Sequence, residues 1–364
     1  MAFNRESLPT VNFADFGDGT SKSALDIGKK LFEACRDVGF AYLVNTGIPQ
    51  GQTDGMFDWS AKLFALPIET KLKAPHPPEG WKHRGYSGIG REQVSQLIFD
   101  PDELRAIRTG KFPDFKESFD LGSEDSQTLP NNWIPDKDFP GFQTYATNFY
   151  NTCREFQLSI LLPALALGLD LPKDFFLGYH EANENQLRLL HYPRAPTSVF
   201  ESGERGRIGA HTDFGTGTLL FQDDCGGLEV ETPSQPGVFM YVPPVPGTVL
   251  FNIGDFLMRW SNDTLKSTLH RVRAPPRRDG QGDNGETKER FSMAYFLGAD
   301  KEKTIECLPG CSGPDKPKKY EPIKAGEYIN MRLNATYLMA NLYTWFLVCK
   351  PTSFAIMLYC DFHL

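Results

Sequence analysis

Apolar residues recur at helical spacing through the first half of the chain and at strand spacing through the second. In ALDIGKKLFEACRDV, residues 24–38, the side chains of Leu25, Gly28, Leu31, Phe32, Cys35 and Val38 fall on one stripe, which predicts a helix. GFAYLVNTG then reads as a strand ending in a turn, and GQTDGMFDWSAKLFALP as a second helix halted by Pro67. Residues 74–101 are rich in Pro and Gly, and RGYSGIGREQVSQ within them reads as a loop. FKESFDLG is expected to be a strand. A long helical pattern runs from Pro140 to Gly168 through Phe149, Phe156, Leu158, Leu161, Leu162 and Leu165, with Pro163 as a kink point.

From Gln186 the period shortens. LRLLHYP, HTDFGTGTLLFQ, GLEVE, GVFMYVPP, TVLFNIG, STLHRVRAP and RFSMAYFLG are short β-type runs punctuated by Gly and Pro, the pattern of a sandwich or barrel. The polar tract PPRRDGQGDNGETKE, residues 275–289, joins two of them and is a candidate lid. The chain therefore divides into an N-terminal helix-and-strand region (1–180), a β-rich core (181–300), a C-terminal helical extension (301–344) and an apolar tail (345–364). Lys350 and Pro351 interrupt that tail, which is too short to span a bilayer. Its readings are an interfacial segment, a partner strand, or a gene-model or splice-variant end.

Composition narrows the class. The 364 residues, 40% hydrophobic and with 28 Phe, suffice for one large core: mainly β with helical additions. A net charge of −8 disfavours nucleic acid and anionic membrane as partners. No apolar leader opens the sequence, and no run of 18 apolar residues occurs. Seven scattered Cys do not form a disulfide framework, and Cys307-Leu-Pro-Gly-Cys311 lacks the second pair a zinc ribbon needs. The expectation is a cytoplasmic protein acting on a small molecule.

The chemistry gathers in RIGAHTDFGTGTLLFQ. In an extended chain His211 and Asp213 share a face, though one His-x-Asp pair is weak evidence alone. His270, 57 positions after Asp213 and also in a strand pattern, supplies a third ligand type. Two imidazoles and one carboxylate on one face suit Fe(II) and leave coordination positions for a bidentate cosubstrate and O2. Twenty residues on, Arg290 and Ser292 share a strand face, an arrangement that clamps a carboxylate.

His211-x-Asp213, His270 and Arg290-x-Ser292, in this order and spacing, resemble the iron/2-oxoglutarate oxygenase superfamily. The flanking VGFAYLVNTGIP, LRLLHYP and GTVLFNIGDFLMRWSN resemble its isopenicillin N synthase-like branch, over roughly residues 8–340. RGYSGIGREQVSQL, SNDTLKSTLHRV and RFSMAYF are most similar to fungal thymine hydroxylase-like proteins. The resemblance implies a double-stranded β-helix (jelly-roll) core behind an N-terminal α/β region. It implies Fe(II), 2-oxoglutarate and O2 as cofactor and cosubstrates, with succinate and CO2 released as a small organic molecule is hydroxylated, desaturated or cyclised. Tyr192 would join Arg290 and Ser292 on 2-oxoglutarate, and Arg188, Phe214 and Phe296 would face the primary substrate. Pyrimidine-oxidising members of that group carry Tyr directly after the His-x-Asp pair, where this chain has Phe214. That substitution makes thymine doubtful and favours a more apolar or differently functionalised substrate; the expected setting is fungal secondary metabolism. The rivals are a pyrimidine hydroxylase, an isopenicillin N synthase-like oxidase that uses no 2-oxoglutarate, and a small-molecule-binding barrel without turnover.

Overall fold

Strand alternation sorts the second half of the chain into two interiors. In the computed structural model, which describes residues 7–79, 82–91, 114–201, 206–274 and 285–337, twelve main strands form two sheets. They are β1 (Thr10–Asn12), β2 (Phe40–Val44), β3 (Gly85–Ser87), β4 (Glu117–Gly122), β5 (Gln186–Tyr192), β6 (Ile208–His211), β7 (Gly217–Gln222), β8 (Leu228–Glu231), β9 (Phe239–Tyr241), β10 (Val249–Ile253), β11 (His270–Val272) and β12 (Arg290–Leu297). The major sheet runs β1-β2-β10-β7-β12-β5-β4-β3 and the minor sheet β6-β11-β8-β9. The β1–β2 pair is parallel, and the other pairings within these sheets are antiparallel.

Side chains alternate across a strand, so the register sets what faces what. Odd-numbered Leu187, Leu189, Leu219, Phe221, Phe251 and Met293 face the helical layer and its large aromatic core. Even-numbered Phe40, Tyr42, Leu190, Tyr192, Leu250 and Ala294 face the minor sheet, where Ile208, Leu228, Val230 and Val272 meet them. This is a sandwich of the kind the strand pattern predicts, and the jelly-roll core with helical additions that the family resemblance implies. Strands from both sides of residue 180 share the major sheet, so that boundary marks a change in sequence character within one folding unit.

Helices α1 (Lys22–Asp37), α2 (Gln50–Phe64), α3 (Phe142–Phe156) and α4 (Leu162–Gly168) cover the outer face. The Ser21 hydroxyl caps α1 by accepting from the Ala24 N–H, 3.1 Å away. The predicted stripe of α1 is rotated: Ala24, Ile27, Leu31, Ala34 and Cys35 are buried, while Leu25 is 42% exposed. α4 crosses α1 closely: a Cβ on Gly168 would stand 2.3 Å from the Gly28 carbonyl oxygen and 2.8 Å from Phe32 Cβ. A π-turn, Gln157–Leu161, separates α3 from α4. It contains Ser159, whose carbonyl Pro163 would otherwise strike, so the proline is absorbed by one wide turn.

Gly85–Ser87, expected in a loop, forms the edge strand β3, with Tyr86 opposite Phe119. Backbone pairing with β4 creates it, and RGYSGIG carries no alternation that would reveal it. Residues 92–96 of that stretch, residues 275–284 of the candidate lid and the tail 345–364 lie outside the described residues. Beyond β12 the chain makes a short two-stranded ribbon, β13 (Thr304–Ile305) with β14 (Ile323–Lys324). Two further helices matter below: α5 (Asp255–Trp260), directly after β10, and α6 (Ala325–Tyr337). Among the described residues no helix is long and apolar enough to cross a membrane.

Candidate metal centre and anion pocket

HTDFGTGTLLFQ does not run as one strand. β6 ends at His211 in the minor sheet and β7 begins at Gly217 in the major sheet, so residues 212–216 are a crossover between sheets. Small residues make the crossing possible. A Cβ on Gly215 would come within 2.5 Å of the Leu297 carbonyl oxygen, and one on Gly254 within 2.2 Å of the Gly215 carbonyl oxygen. Asp213 is therefore aimed by a turn, and strand alternation has no part in it. His270 opens β11 directly opposite His211, their ring centroids 4.3 Å apart.

Three lone pairs converge here. Nε2 of His211 and of His270 stand 3.9 and 3.7 Å from Asp213 Oδ1. The ligating atoms of all three lie within 4.8 Å of one another. Every remaining polar atom of the triad is engaged. His211 Nδ1 bonds the Gly209 carbonyl at 2.8 Å and His270 Nδ1 the Thr268 carbonyl at 3.1 Å. A carbonyl only accepts, so each ring carries its proton on Nδ1 and presents a bare Nε2. Asp213 Oδ2 accepts from Thr218 Oγ1 at 2.6 Å and Asn252 Nδ2 at 2.7 Å, which leaves Oδ1 facing the imidazoles.

Burial, with His270 adding to it, holds the His211 imidazole well below its ordinary value. Burial alone would raise Asp213, but His270, His211 and the Asn252 and Thr218 donors bring it below the usual carboxylate range. The donor set is thus two imidazole nitrogens and one carboxylate oxygen, as a divalent cation of borderline hardness requires.

The neutral imidazole has a consequence for stability. His180 is also buried and depressed, its Nε2 on Thr216 Oγ1 and its Nδ1 on the Phe176 carbonyl. Below the ordinary histidine value of 6.5 the unfolded chain takes up protons that the folded chain refuses. The metal-free protein should therefore lose about 2 kcal/mol of unfolding free energy between pH 7.5 and 5.5. Urea unfolding at the two values checks this, and a protein equally stable at both would mean that these rings are charged in the fold.

The same cavity has a second polar end. Arg290 and Ser292 extend from β12 into it, beside Tyr192 on β5, which Arg290 opposes in register. Arg290 is 1% exposed, and its Nη1 and Nη2 donate to Ser292 Oγ at 3.0 Å and Gln222 Oε1 at 3.1 Å. Its Cζ lies 4.8 Å from the centre of the Tyr192 ring, with Arg207, also buried, at 5.8 Å from the same ring. Among the described residues Arg290 forms no ion pair with a carboxylate, and its Nε is buried without a partner. A buried guanidinium in that state is costly until an anion joins it.

Arg188 and Phe296 line the cavity between these ends. Arg188 is held by Asp120 of β4, Nε to Oδ1 at 2.6 Å and Nη2 to Oδ2 at 3.1 Å, and its Nη2 also meets His83 Nδ1 at 2.9 Å. Phe214 is placed elsewhere than expected. It does not line this cavity, and Arg332 of α6 lies over its ring at 4.5 Å. The sheet crossover turns it toward the C-terminal helix. Sequence reasoning missed Asn252, Thr218 and Lys116, a buried lysine that lines the cavity. Asn252 carried a signal, as the one amide in the apolar run VLFNI.

Comparison with known proteins agrees with this geometry. The family model described as 2OG-Fe(II) oxygenase superfamily matches residues 183–299, and that described as non-haem dioxygenase in morphine synthesis N-terminal matches residues 8–137. The 2-oxoglutarate-dependent dioxygenase gloF of Glarea lozoyensis is 36% identical over 336 residues, covering 91% of this chain and 99% of its own. The proline hydroxylase buaE of Petromyces alliaceus is 39% identical over 335 residues, with 91% and 99% covered. The crystal structure of full-length Neurospora crassa thymine hydroxylase with alpha-KG superposes with a TM-score of 0.80 at 37% identity, covering 92% of this chain and 98% of that one. The Neurospora enzyme has also been solved with alpha-KG and thymine together, again with a TM-score of 0.80. The chain belongs to the 2OG-Fe(II) oxygenase superfamily and is a 2-oxoglutarate-dependent non-haem iron dioxygenase.

Proposed function

We propose that His211, Asp213 and His270 hold Fe(II), that Arg290, Ser292 and Tyr192 hold the distal carboxylate of 2-oxoglutarate, and that the primary substrate lies against Phe296 and Arg188. The observation that carries the reading is one cavity with two complementary ends: three convergent lone pairs, and a buried arginine that no acid pairs among the described residues. Bound Fe(II) supplies the O2 chemistry that couples decarboxylation of 2-oxoglutarate to oxidation of the substrate. The chain's own residues do the rest. Gly209 and Thr268 set the imidazole tautomers, and Asn252 and Thr218 orient the carboxylate. Arg290 fixes the far end of the cosubstrate, while Leu190, Leu220, Ile208 and Val272 keep water from the walls.

The substrate we infer is a small, mostly apolar molecule of fungal secondary metabolism that offers a hydrogen-bond acceptor to Arg188. Two facts support this. The walls are apolar apart from the polar groups named. Asp120 already balances the charge of Arg188, which suits a neutral partner. Pyrimidine hydroxylation is the second reading, favoured by the likeness to the Neurospora enzyme, which has been solved with thymine. The protein acts in the cytoplasm in this reading, consistent with the five described cysteines being free thiols.

The test is an anaerobic titration with Fe(II) and 2-oxoglutarate, read by the weak visible band of their chelate, followed by succinate release with candidate substrates in air. One succinate per product is expected. Thymine should raise succinate release little above the substrate-free rate. A thymine-dependent burst with hydroxylated product would establish the pyrimidine reading in its place. Product without succinate would make the protein an oxidase.

A further inference from the structure

We infer that Arg332, on the C-terminal helix α6, is a positioning residue for the metal centre: it fixes the turn that carries Asp213. The inference rests on the ligand assignment proposed above.

Arg332 lies 119 residues beyond Asp213, yet its guanidinium is buried at the base of the His211–Asp213 turn. Nη2 stands 2.7 Å from Asp255 Oδ2, an ion pair in which both side chains are fully buried, and donates to Thr212 Oγ1 at 3.2 Å. Thr212 Oγ1 in turn donates to Asp255 Oδ2 at 2.9 Å. Three residues from three elements thus close a ring of hydrogen bonds around Thr212, the residue between the two ligands. The guanidinium also covers the Phe214 ring on the other side of Asp213. It therefore grips the turn on both flanks of the carboxylate.

Asp255 is tied to the same turn through the backbone. Its N–H donates to the Asp213 carbonyl at 2.7 Å, and the Phe256 N–H to the Phe214 carbonyl at 3.3 Å. Asp213 is thus held at three levels: its side chain by Asn252 and Thr218, its carbonyl by Asp255, and its neighbours by Arg332. The helix itself is seated independently. The Ala325 and Gly326 N–H groups bond the carbonyls of Lys303 and Lys301, and Tyr328 packs on Phe256 with ring centroids 5.8 Å apart. A seated helix that sends one charged fork into the ligand turn provides a fixed reference for the distance between Asp213 and the two imidazoles.

A brace that only stabilises the fold would behave differently from a positioning residue, and the readouts separate them. The full chain is compared as wild type, Arg332→Met, Arg332→Lys, Ile329→Ala and His211→Ala, by anaerobic Fe(II) titration, by the visible ligand-field bands of Co(II) in the same site, and by thermal melting. Arg332→Met is expected to weaken Fe(II) binding by about 10- to 100-fold, the usual effect of losing an outer-shell partner, and to shift the Co(II) bands. Arg332→Lys, which keeps a charge for Asp255, should recover part of the affinity. Ile329 packs against the core from the same helix without being one of the groups at the turn. Ile329→Ala should lower the melting temperature and leave Fe(II) affinity and Co(II) bands unchanged. Wild-type affinity in Arg332→Met, or equal losses in Arg332→Met and Ile329→Ala, would overturn the inference. If Arg332→Met does not fold, Arg332→Lys against Ile329→Ala decides the same question. Undiminished Fe(II) binding in His211→Ala would instead overturn the ligand assignment, which keeps the two failures apart.

Discussion

Asp213→Asn should fold and melt near the wild-type temperature, yet bind Fe(II) and release succinate at least about 1,000-fold less well. The amide is nearly isosteric, and its carbonyl oxygen can still accept from Thr218 and Asn252. Its NH2 then points at the Nε2 atoms of His211 and His270, 3.9 and 3.7 Å away, and offers them donors where the carboxylate faced an ion. The variant thus replaces the ion with an internal neutral network, which explains how stability survives while the metal is lost. A charge pair 4 Å apart is worth about 4 kcal/mol at an effective dielectric of about 20. At 1.36 kcal/mol per decade this gives about three decades, a lower bound for a divalent ion bound more closely. Anaerobic Fe(II) titration and a succinate assay measure both effects. An Asn variant that binds Fe(II) within tenfold of wild type would move the metal away from this cluster.

The legible parts of this protein were those decided locally. The helix over Lys22–Asp37 and the strands Gln186–Tyr192, Val249–Ile253 and Arg290–Leu297 follow from periodicity, which each segment carries within itself. His211, Asp213, His270, Arg290 and Ser292 stood out by residue type, order and spacing, each pair read as sharing a face. Features decided by contact between distant segments were hidden. Leu25 is exposed although it lies on the apolar stripe of α1, because what packs against that stripe is set by other segments, and no residue inside α1 reports them. Gly85–Ser87 became a strand only because β4 lies beside it.

Phe214 shows the limit most clearly. Directly after a ligand, it reads as a pocket residue through the family resemblance alone. The chain leaves one sheet at His211 and joins the other at Gly217, so alternation stops where the chemistry begins. The turn takes its shape from Asp255 and Arg332, both distant in sequence. An active site built at a sheet crossover is therefore written in the sequence as residue types, while their directions are written in segments that lie elsewhere.

Arg290→Met should raise the KM for 2-oxoglutarate by at least about 100-fold while leaving kcat at saturation within a few-fold. In the proposed assignment the guanidinium binds the end of the cosubstrate remote from the iron, so its loss removes binding shared by ground and transition states. Two charge-assisted hydrogen bonds of about 1.5–3 kcal/mol each correspond to roughly 100- to 10,000-fold in affinity. Stability should change in the opposite sense. Without cosubstrate, Arg290 is a buried cation whose hydrogen-bond partners are the neutral Ser292 and Gln222, with Asp223 near but not bonded to it, and Met of similar length removes that buried charge. The variant alone should melt at least as high as the wild type. At 100 times its dissociation constant a ligand stabilises the folded state by about 2.7 kcal/mol, and Arg290→Met should forfeit that gain at the same 2-oxoglutarate concentration. Melting with and without 2-oxoglutarate, beside the steady-state assay, reads all three effects. A variant that melts lower and keeps the wild-type KM would make Arg290 a structural brace, and the anion would have to bind elsewhere. The expected pairing, higher intrinsic stability with lost cosubstrate affinity, is the signature of a charge kept buried for a ligand: its cost to the empty fold is offset only when 2-oxoglutarate is bound.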